Sequence, residues 1–307
     1  MVSQVNVDWI AVDWGTSNLR VWAMGASDQV VGSIQSDKGM GGLAPSDFEP
    51  TLISLVEAWL GGDTTPVVAC GMVGARQGWA EAQYLPVPTK PAGDQIMRVS
   101  TKDTRIEMHI LAGVSQTNPP DVMRGEETQI AGLLHMEPNF RGITCLPGTH
   151  TKWVQIVDGE IFHFATFMTG ELFALVTKNS VLRHSVDGDG DGWDDRAFFV
   201  ALDDALTTPE RVANRLFSLR ASGLLLGTGT AESRATLSGL LIGLELGGAR
   251  PYWLGQDVAI IGDGGLVSVY AKALEHAGLA PRCLKATDMV LRGLCTANKI
   301  LKGKANA

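Results

Sequence analysis

The segment Ile10-Ala11-Val12-Asp13-Trp14-Gly15-Thr16-Ser17-Asn18-Leu19-Arg20-Val21-Trp22 sets two apolar runs on either side of a short polar turn. It constrains the fold because a buried strand through Val12 that reverses at Gly15 must return as its own neighbour. A β-hairpin is predicted. Such a turn aims backbone amides at one point, and Thr16, Ser17 and Asn18 add side-chain donors, so its tip suits a phosphate. Asp13, at the strand end, is placed to hold a magnesium ion (Mg2+) through water. An ordinary hairpin with a polar tip has the same pattern, so corroboration has to come from further along.

At 307 residues the chain exceeds what one core usually serves, which predicts two domains, 1–138 and 139–307, with a cleft between them. Hydrophobic residues at 45% and charged residues at 19% suit a packed globular protein. The 36 glycines, many at the ends of apolar runs, favour an α/β enzyme. A net charge of -8 argues against a broad nucleic-acid surface, which needs clustered cations. No basic leader precedes an apolar core and no apolar run is long enough to span a bilayer, so a cytoplasmic protein without a membrane partner is expected. Cys70, Cys145, Cys283 and Cys295 lack paired metal-ligand spacing and read as buried, reduced thiols.

Short strands and helices alternate from residue 7 to about 135, including a packing helix within Ser46 to Leu60 and strands at Val67 to Cys70 and Met108 to Ala112. A second strand-and-turn block begins at Cys145, and a helix-rich stretch runs from about 170 to 247. A closing helix is expected from Asp288 to Leu301. Asp187-Gly188-Asp189-Gly190-Asp191-Gly192 superficially resembles a calcium loop, but its twelfth position is Phe198 where a bidentate Glu is needed. The better expectation is a polar loop followed by a helix capped by Asp194 or Asp195.

The second block, Leu146-Pro147-Gly148-Thr149-His150-Thr151-Lys152-Trp153, echoes the first. Gly148 and Thr149 could offer an amide and a hydroxyl to a phosphate, with Lys152 adding a compact positive charge. His150 reads as a hydrogen-bonded structural residue, since phosphoryl transfer to an alcohol does not need it. The third block, Ile260-Ile261-Gly262-Asp263-Gly264-Gly265-Leu266, is a strand followed by glycines against which a base or ribose could lie. Alone it is equally a tight strand-to-helix connection.

In this order the three blocks resemble the actin-like sugar kinase superfamily. With Gly71-Met72-Val73-Gly74, Met123-Arg124-Gly125-Glu126-Glu127-Thr128-Gln129 and Met168-Thr169-Gly170-Glu171-Leu172, the chain is similar over nearly its whole length to the 2-dehydro-3-deoxygalactonokinase family. The resemblance implies an α/β, two-domain actin-like (ribonuclease H-like) sugar kinase fold. It also implies transfer of the ATP γ-phosphate to the 6-hydroxyl of 2-dehydro-3-deoxy-D-galactonate. Gly15, Thr16, Ser17, Asn18, Gly148, Thr149, Lys152, Gly262, Gly264 and Gly265 are then the nucleotide-binding candidates. One departure is Pro147, where the wider superfamily often carries an acid before Gly-Thr. Asp13 is therefore the preferred organiser of Mg2+.

Phosphoryl transfer needs a carboxylate to orient and finally deprotonate the hydroxyl. Glu126 and Glu127 stand at a predicted helix start after Gly125, where related sugar kinases tend to place the base, and Glu126 is slightly preferred. Adjacent helical residues point about 100° apart, so one faces substrate and the other does not. Acidic residues at a helix N-terminus are also stabilised by the dipole whatever their function. A carboxylate substrate calls for an Arg, with Arg20, Arg76 and Arg124 available, while Trp79, Thr169 and Glu171 could shape the pocket. The partners expected are a small sugar acid and ATP, and a homodimer is compatible with the reading.

No Gly-x-x-x-x-Gly-Lys-Ser/Thr, Gly-x-Gly-x-x-Gly or Gly-x-Ser-x-Gly motif occurs, which disfavours P-loop kinases, dinucleotide oxidoreductases and serine hydrolases. Two alternatives stand beside the leading reading. One is a kinase for another sugar or sugar acid. The other is a nucleotide-dependent regulator that has lost phosphotransfer, against which the presence of Asp13, Glu126 and Glu127 counts.

Overall fold

The hairpin forms: β1 (Trp9–Trp14) and β2 (Leu19–Met24) pair antiparallel, with Trp14 opposite Leu19 at the turn. The computed structural model describes residues 6–93, 95–186 and 192–305. After the hairpin come β3 (Val30–Ser36), α1 (Phe48–Val56), β4 (Thr65–Gly71), β5 (Tyr84–Pro86) and β6 (Ile96–Val99). They are followed by β7 (Ile106–Leu111), β8 (Gly113–Thr117), β9 (Pro120–Met123) and α2 (Glu126–Met136). Then come β10 (Gly142–Leu146), β11 (Thr151–Val157), β12 (Glu160–Phe167), α3 (Thr169–Asn179), α4 (Arg183–Val186) and α5 (Asp195–Thr207). The chain continues through α6 (Val212–Leu225), α7 (Thr230–Gly248), α8 (Arg250–Trp253), β13 (Val258–Gly262), α9 (Gly265–His276), β14 (Arg282–Lys285) and α10 (Ala286–Ala305).

These elements divide into two compact units, one of Met1–Arg141, Ile156–His163 and Ala286–Ala307, the other of Gly142–Gln155 and Phe164–Lys285. Among the described residues the first unit's main sheet runs β3-β2-β1-β4-β7-β6, and β1, β4 and β7 are mutually parallel. The second main sheet runs β12-β11-β10-β13-β14, with β10, β13 and β14 parallel. Apart from the added edge strand β6, the two sheets repeat one topology. Each opens on a hairpin whose first strand then gains a parallel neighbour. The echo between the two Gly-Thr blocks is thus an echo of structure.

β1 is buried on both faces, as a parallel central strand should be. Ile10, Val12 and Trp14 join Val67, Ala69, Phe48 and Leu52 in one core, and Trp9 and Ala11 join Val68, Cys70, Val290 and Leu294 in another. The second core includes α10. The boundary read from sequence put this helix in the second domain, but its apolar face covers the first sheet, and Gly293 lies so close to the Thr128 carbonyl of α2 that a Cβ would collide with it. The second unit's core gathers Ile143, Cys145, Trp153, Ile260 and Tyr270 with Phe198, Leu202, Ile242 and Leu246 of α5 and α7.

Three thiols are buried as expected, but Cys283 is exposed. It lies on the edge strand β14, whose residues alternate between partial burial and exposure. The calcium-like stretch 187–191 lies outside the described residues. After it, Asp194 caps α5 by accepting the Ala197 N–H at 2.9 Å.

Candidate active site

In the first unit the polar groups collect at the carboxyl ends of the parallel strands β1 and β4, where an open α/β sheet characteristically binds ligands. The Gly15 N–H donates to the Asn18 carbonyl at 2.9 Å, closing the hairpin tip and leaving Thr16, Ser17 and Asn18 exposed. The tip is braced from one side. Met40 and Gly41 donate their N–H groups to the Gly15 and Thr16 carbonyls at 3.0 and 2.9 Å, and Gly39 approaches Ser17 so closely that any Cβ would strike the turn backbone. Asp13 sits half-buried just before the tip, with its Oδ2 3.6 Å from Arg20 Nη1 and its Oδ1 3.8 Å from Cys70 Sγ.

The start of α2 faces the same strand ends: a Cβ on Gly125 would lie 3.4 Å from the Gly71 Cα. Here the two candidate bases differ sharply. Glu127 is 1% exposed, accepting the Gly125 N–H at 2.7 Å and the Thr128 hydroxyl at 3.1 Å. Burial first, then the charge of neighbouring Glu126, pushes its carboxyl up to about 8. Glu126 is half-buried, and its Oε2 accepts the Arg124 N–H at 3.0 Å. Cys70 lies within the fields of both Asp13 and Glu127, and burial with these two charges holds its thiol well above the usual range.

The three arginines also separate. Arg20 is paired with Asp13. Arg124 is 9% exposed, stacks 4.2 Å over the Tyr84 ring and donates Nη2 to the Ala82 carbonyl at 2.7 Å, while its buried Nη1 has no hydrogen-bond partner. Arg76 is exposed on the loop that follows β4. Trp79 is half-buried, with its ring 6.4 Å from that of Trp14 and 6.5 Å from that of Phe48, so it packs against the core.

In the second unit the start of α3 is docked on the second turn. The Glu171 N–H donates to the Thr149 carbonyl at 2.9 Å, and Gly170 fits so tightly over the Gly148 carbonyl that a Cβ has no room. The Glu171 carboxylate meets His150 Nε2 at 2.5 Å. Lys152, read as a charge available to phosphate, is 5% exposed on β11. Gly148, Thr149, Thr169 and Gly170 help to wall a cavity of about 390 Å³, together with Leu266, Val269 and Tyr270 of α9. That volume lies in the range of small-molecule sites. The positive φ of 74° at Gly264 turns the chain out of β13 and into α9, so Gly262, Gly264 and Gly265 lead directly to this wall.

The sequence pattern of the family described as 2-keto-3-deoxy-galactonokinase matches residues 13–297. The chain belongs to that family. A curated relative from Rhizobium meliloti (strain 1021), named a probable 2-dehydro-3-deoxygalactonokinase, is 39% identical over 95% of this chain and 97% of its own. The 2-dehydro-3-deoxygalactonokinase of Escherichia coli (strain K12) is 34% identical over 88% of this chain and 90% of its own. A Sinorhizobium meliloti protein provisionally called by the same name has a crystal structure matching at a TM-score of 0.89, with 38% identity, 95% of this chain and 99% of that one covered. The dehydratase component A of Acidaminococcus fermentans, at a TM-score of 0.51 and 13% identity, shares the fold alone over 95% of this chain and 98% of its own. This is the actin-like ATPase and sugar kinase fold.

For a member of this kinase family, the residues suit ATP and Mg2+ chemically. Exposed hydroxyls and turn amides are phosphate donors, and the start of α9, where Gly264 makes no side-chain cap, presents backbone N–H groups suited to an anion. Among the described residues no group of three or more His, Cys, Asp or Glu could hold a metal by itself. A single carboxylate such as Asp13 suits Mg2+, which keeps waters and takes oxygens from nucleotide phosphates. Sequence reasoning missed Gly39, Trp193 and Arg234, the last two lining the second unit's cavity, and Glu245 deep in α7. Only Glu245 had a sequence signal, as a lone acid in the apolar run Leu240 to Leu246.

Proposed function

We propose that this protein transfers the γ-phosphoryl group of ATP to the 6-hydroxyl of 2-dehydro-3-deoxy-D-galactonate, giving the 6-phospho compound and ADP, in galactonate catabolism. The observation that carries the reading is the collection of Asp13, Glu126 and Glu127 at the ends of β1 and β4 in a member of this family. A regulator without phosphotransfer has no need to keep them.

The first unit acts on the sugar acid. Glu126, half-buried at the start of α2, is the acceptor of the hydroxyl proton; Glu127, whose carboxyl is pushed up to about 8, keeps its own proton at neutral pH and fixes the turn at Gly125. Arg76, exposed on the loop after β4, takes the substrate carboxylate; Arg20 is paired with Asp13, and Arg124 is held against Ala82 and Tyr84 with only its Nη1 left without a partner. Thr16, Ser17 and Asn18 hold phosphate oxygens. Asp13 would hold Mg2+, which when bound neutralises charge on the phosphoryl oxygens.

The second unit holds the nucleotide. Gly148 and Thr149 present donors to phosphate, and the cavity beyond them, walled by Leu266, Val269 and Ile242, takes the apolar faces of the base. These co-substrates are those of a cytoplasmic enzyme. The test is ADP production from Mg·ATP with 2-dehydro-3-deoxy-D-galactonate, its 4-epimer and a panel of hexoses. Preference for the galactonate compound, with phosphate on its 6-oxygen, supports the assignment; activity only on another acceptor overturns the substrate and keeps the reaction class.

A further inference from the structure

Glu245 is 2% exposed in the last turn of α7, flanked by Leu244 and Leu246. Burying a carboxylate is costly unless donors satisfy it, and helix packing alone is served as well by an apolar residue. Three donors converge on it. Trp153 Nε1 donates to Oε1 at 2.8 Å, the Tyr270 hydroxyl donates to Oε2 at 2.7 Å, and the Thr169 hydroxyl donates to Oε2 as well. The Thr151 hydroxyl lies 2.9 Å from that of Tyr270 and extends the cluster. Burial pushes the Glu245 carboxyl up, and the hydrogen bonds from these four residues act in the opposite direction.

The donors come from three elements, each leading to a part of the nucleotide site. Trp153 and Thr151 are on β11, directly after the Gly148–Thr149 turn; Thr169 opens α3 beside Gly170; Tyr270 is one turn into α9 after Gly264 and Gly265. Thr169 and Tyr270 also line the cavity of about 390 Å³. Glu245 itself does not. We propose that Glu245 is a positioning residue for nucleotide binding: its carboxylate locks β11, α3 and α9 together and so sets the second phosphate turn and the cavity wall in register. The proposal rests on the ATP reading above.

The test is calorimetric titration of the full chain with Mg·ADP, alongside the KM values for ATP and for the sugar acid. Glu245→Gln keeps the volume but turns one acceptor into a donor facing hydroxyls. It is expected to weaken Mg·ADP binding and raise the KM for ATP by roughly tenfold, as misplaced binding groups do, while the sugar-acid KM stays within about twofold. Tyr270→Phe, which removes one donor and keeps the ring, should shift the same parameters by a few-fold. The double variant should fall short of the product of the two effects, because both act through one cluster. Unchanged Mg·ADP affinity in folded Glu245→Gln, or in Tyr270→Phe if the first variant does not fold, overturns the proposal. Wild-type protein that binds no Mg·ADP overturns the ATP reading itself, and this inference with it.

Discussion

Glu127→Gln separates the two neighbouring carboxyls at the start of α2. In the folded protein the Glu127 carboxyl is pushed from 4.5 to about 8, so between those pH values the native state holds a proton that the unfolded chain has lost. Linkage then makes wild-type stability fall as pH rises through this window. At about 1.4 kcal/mol per pH unit the loss accumulates to about 5 kcal/mol, an upper figure that relaxation around the charge reduces. Gln resembles the protonated acid, can still accept the Gly125 N–H, and has no charge to expose. The gap in stability between variant and wild type should therefore widen in favour of the variant from pH 5 to pH 9. Glu245, also raised by burial, is common to both proteins and cancels in the difference, and Cys70 is raised first by burial, which both proteins share, and only in lesser part by the Glu127 charge that the variant removes. Urea unfolding of both proteins by tryptophan fluorescence, at unit pH steps, measures it. Parallel pH profiles would refute the reasoning, since they would mean that Glu127 carries no displaced proton. The same variant should keep kcat within about tenfold, as the proton acceptor is its neighbour.

Glu126→Gln should lower kcat by about 10²–10⁴-fold with Mg·ADP affinity unchanged, and near-normal turnover would move the base elsewhere. Arg76→Ala should raise the KM for the sugar acid by about 10–100-fold, the value of a charge-assisted hydrogen bond, and leave the KM for ATP alone; steady-state kinetics in each substrate decide it. Gly170→Ala drives a methyl group into the Gly148 carbonyl. The second turn must then shift, and the KM for ATP should rise at least about tenfold while the sugar-acid KM holds.

What the sequence made legible was local. β1 and β4 are apolar runs ending at glycines, and the closing helix has a regular apolar stripe, so each follows from period and punctuation. Which sheet the stripe would cover is a tertiary choice that the stripe does not encode. The same holds at the site. Helix geometry separates Glu126 from Glu127 by about 100° but does not say which one turns inward. The Gly39 brace depends on backbone meeting backbone across the hairpin tip. The donors to Glu245 lie 92, 76 and 25 residues away along the chain, beyond the reach of any window. The exposure of Cys283 follows from its place on a sheet edge, which the order of strands decides.

Because α10 completes the first unit, the order of synthesis differs from the order of assembly. Residues 1–141 emerge early from a ribosome but lack the helix that covers Trp9, Ala11, Val68 and Cys70. At roughly 5–20 residues per second, these apolar side chains wait many seconds while 142–285 are made. The later-coded second unit, whose segments lie close together in sequence, can reach its native contacts first. In a growing chain the first sheet, with all six strands already made, thus keeps one face uncovered, and the face of β1 and β4 closes only when α10 arrives.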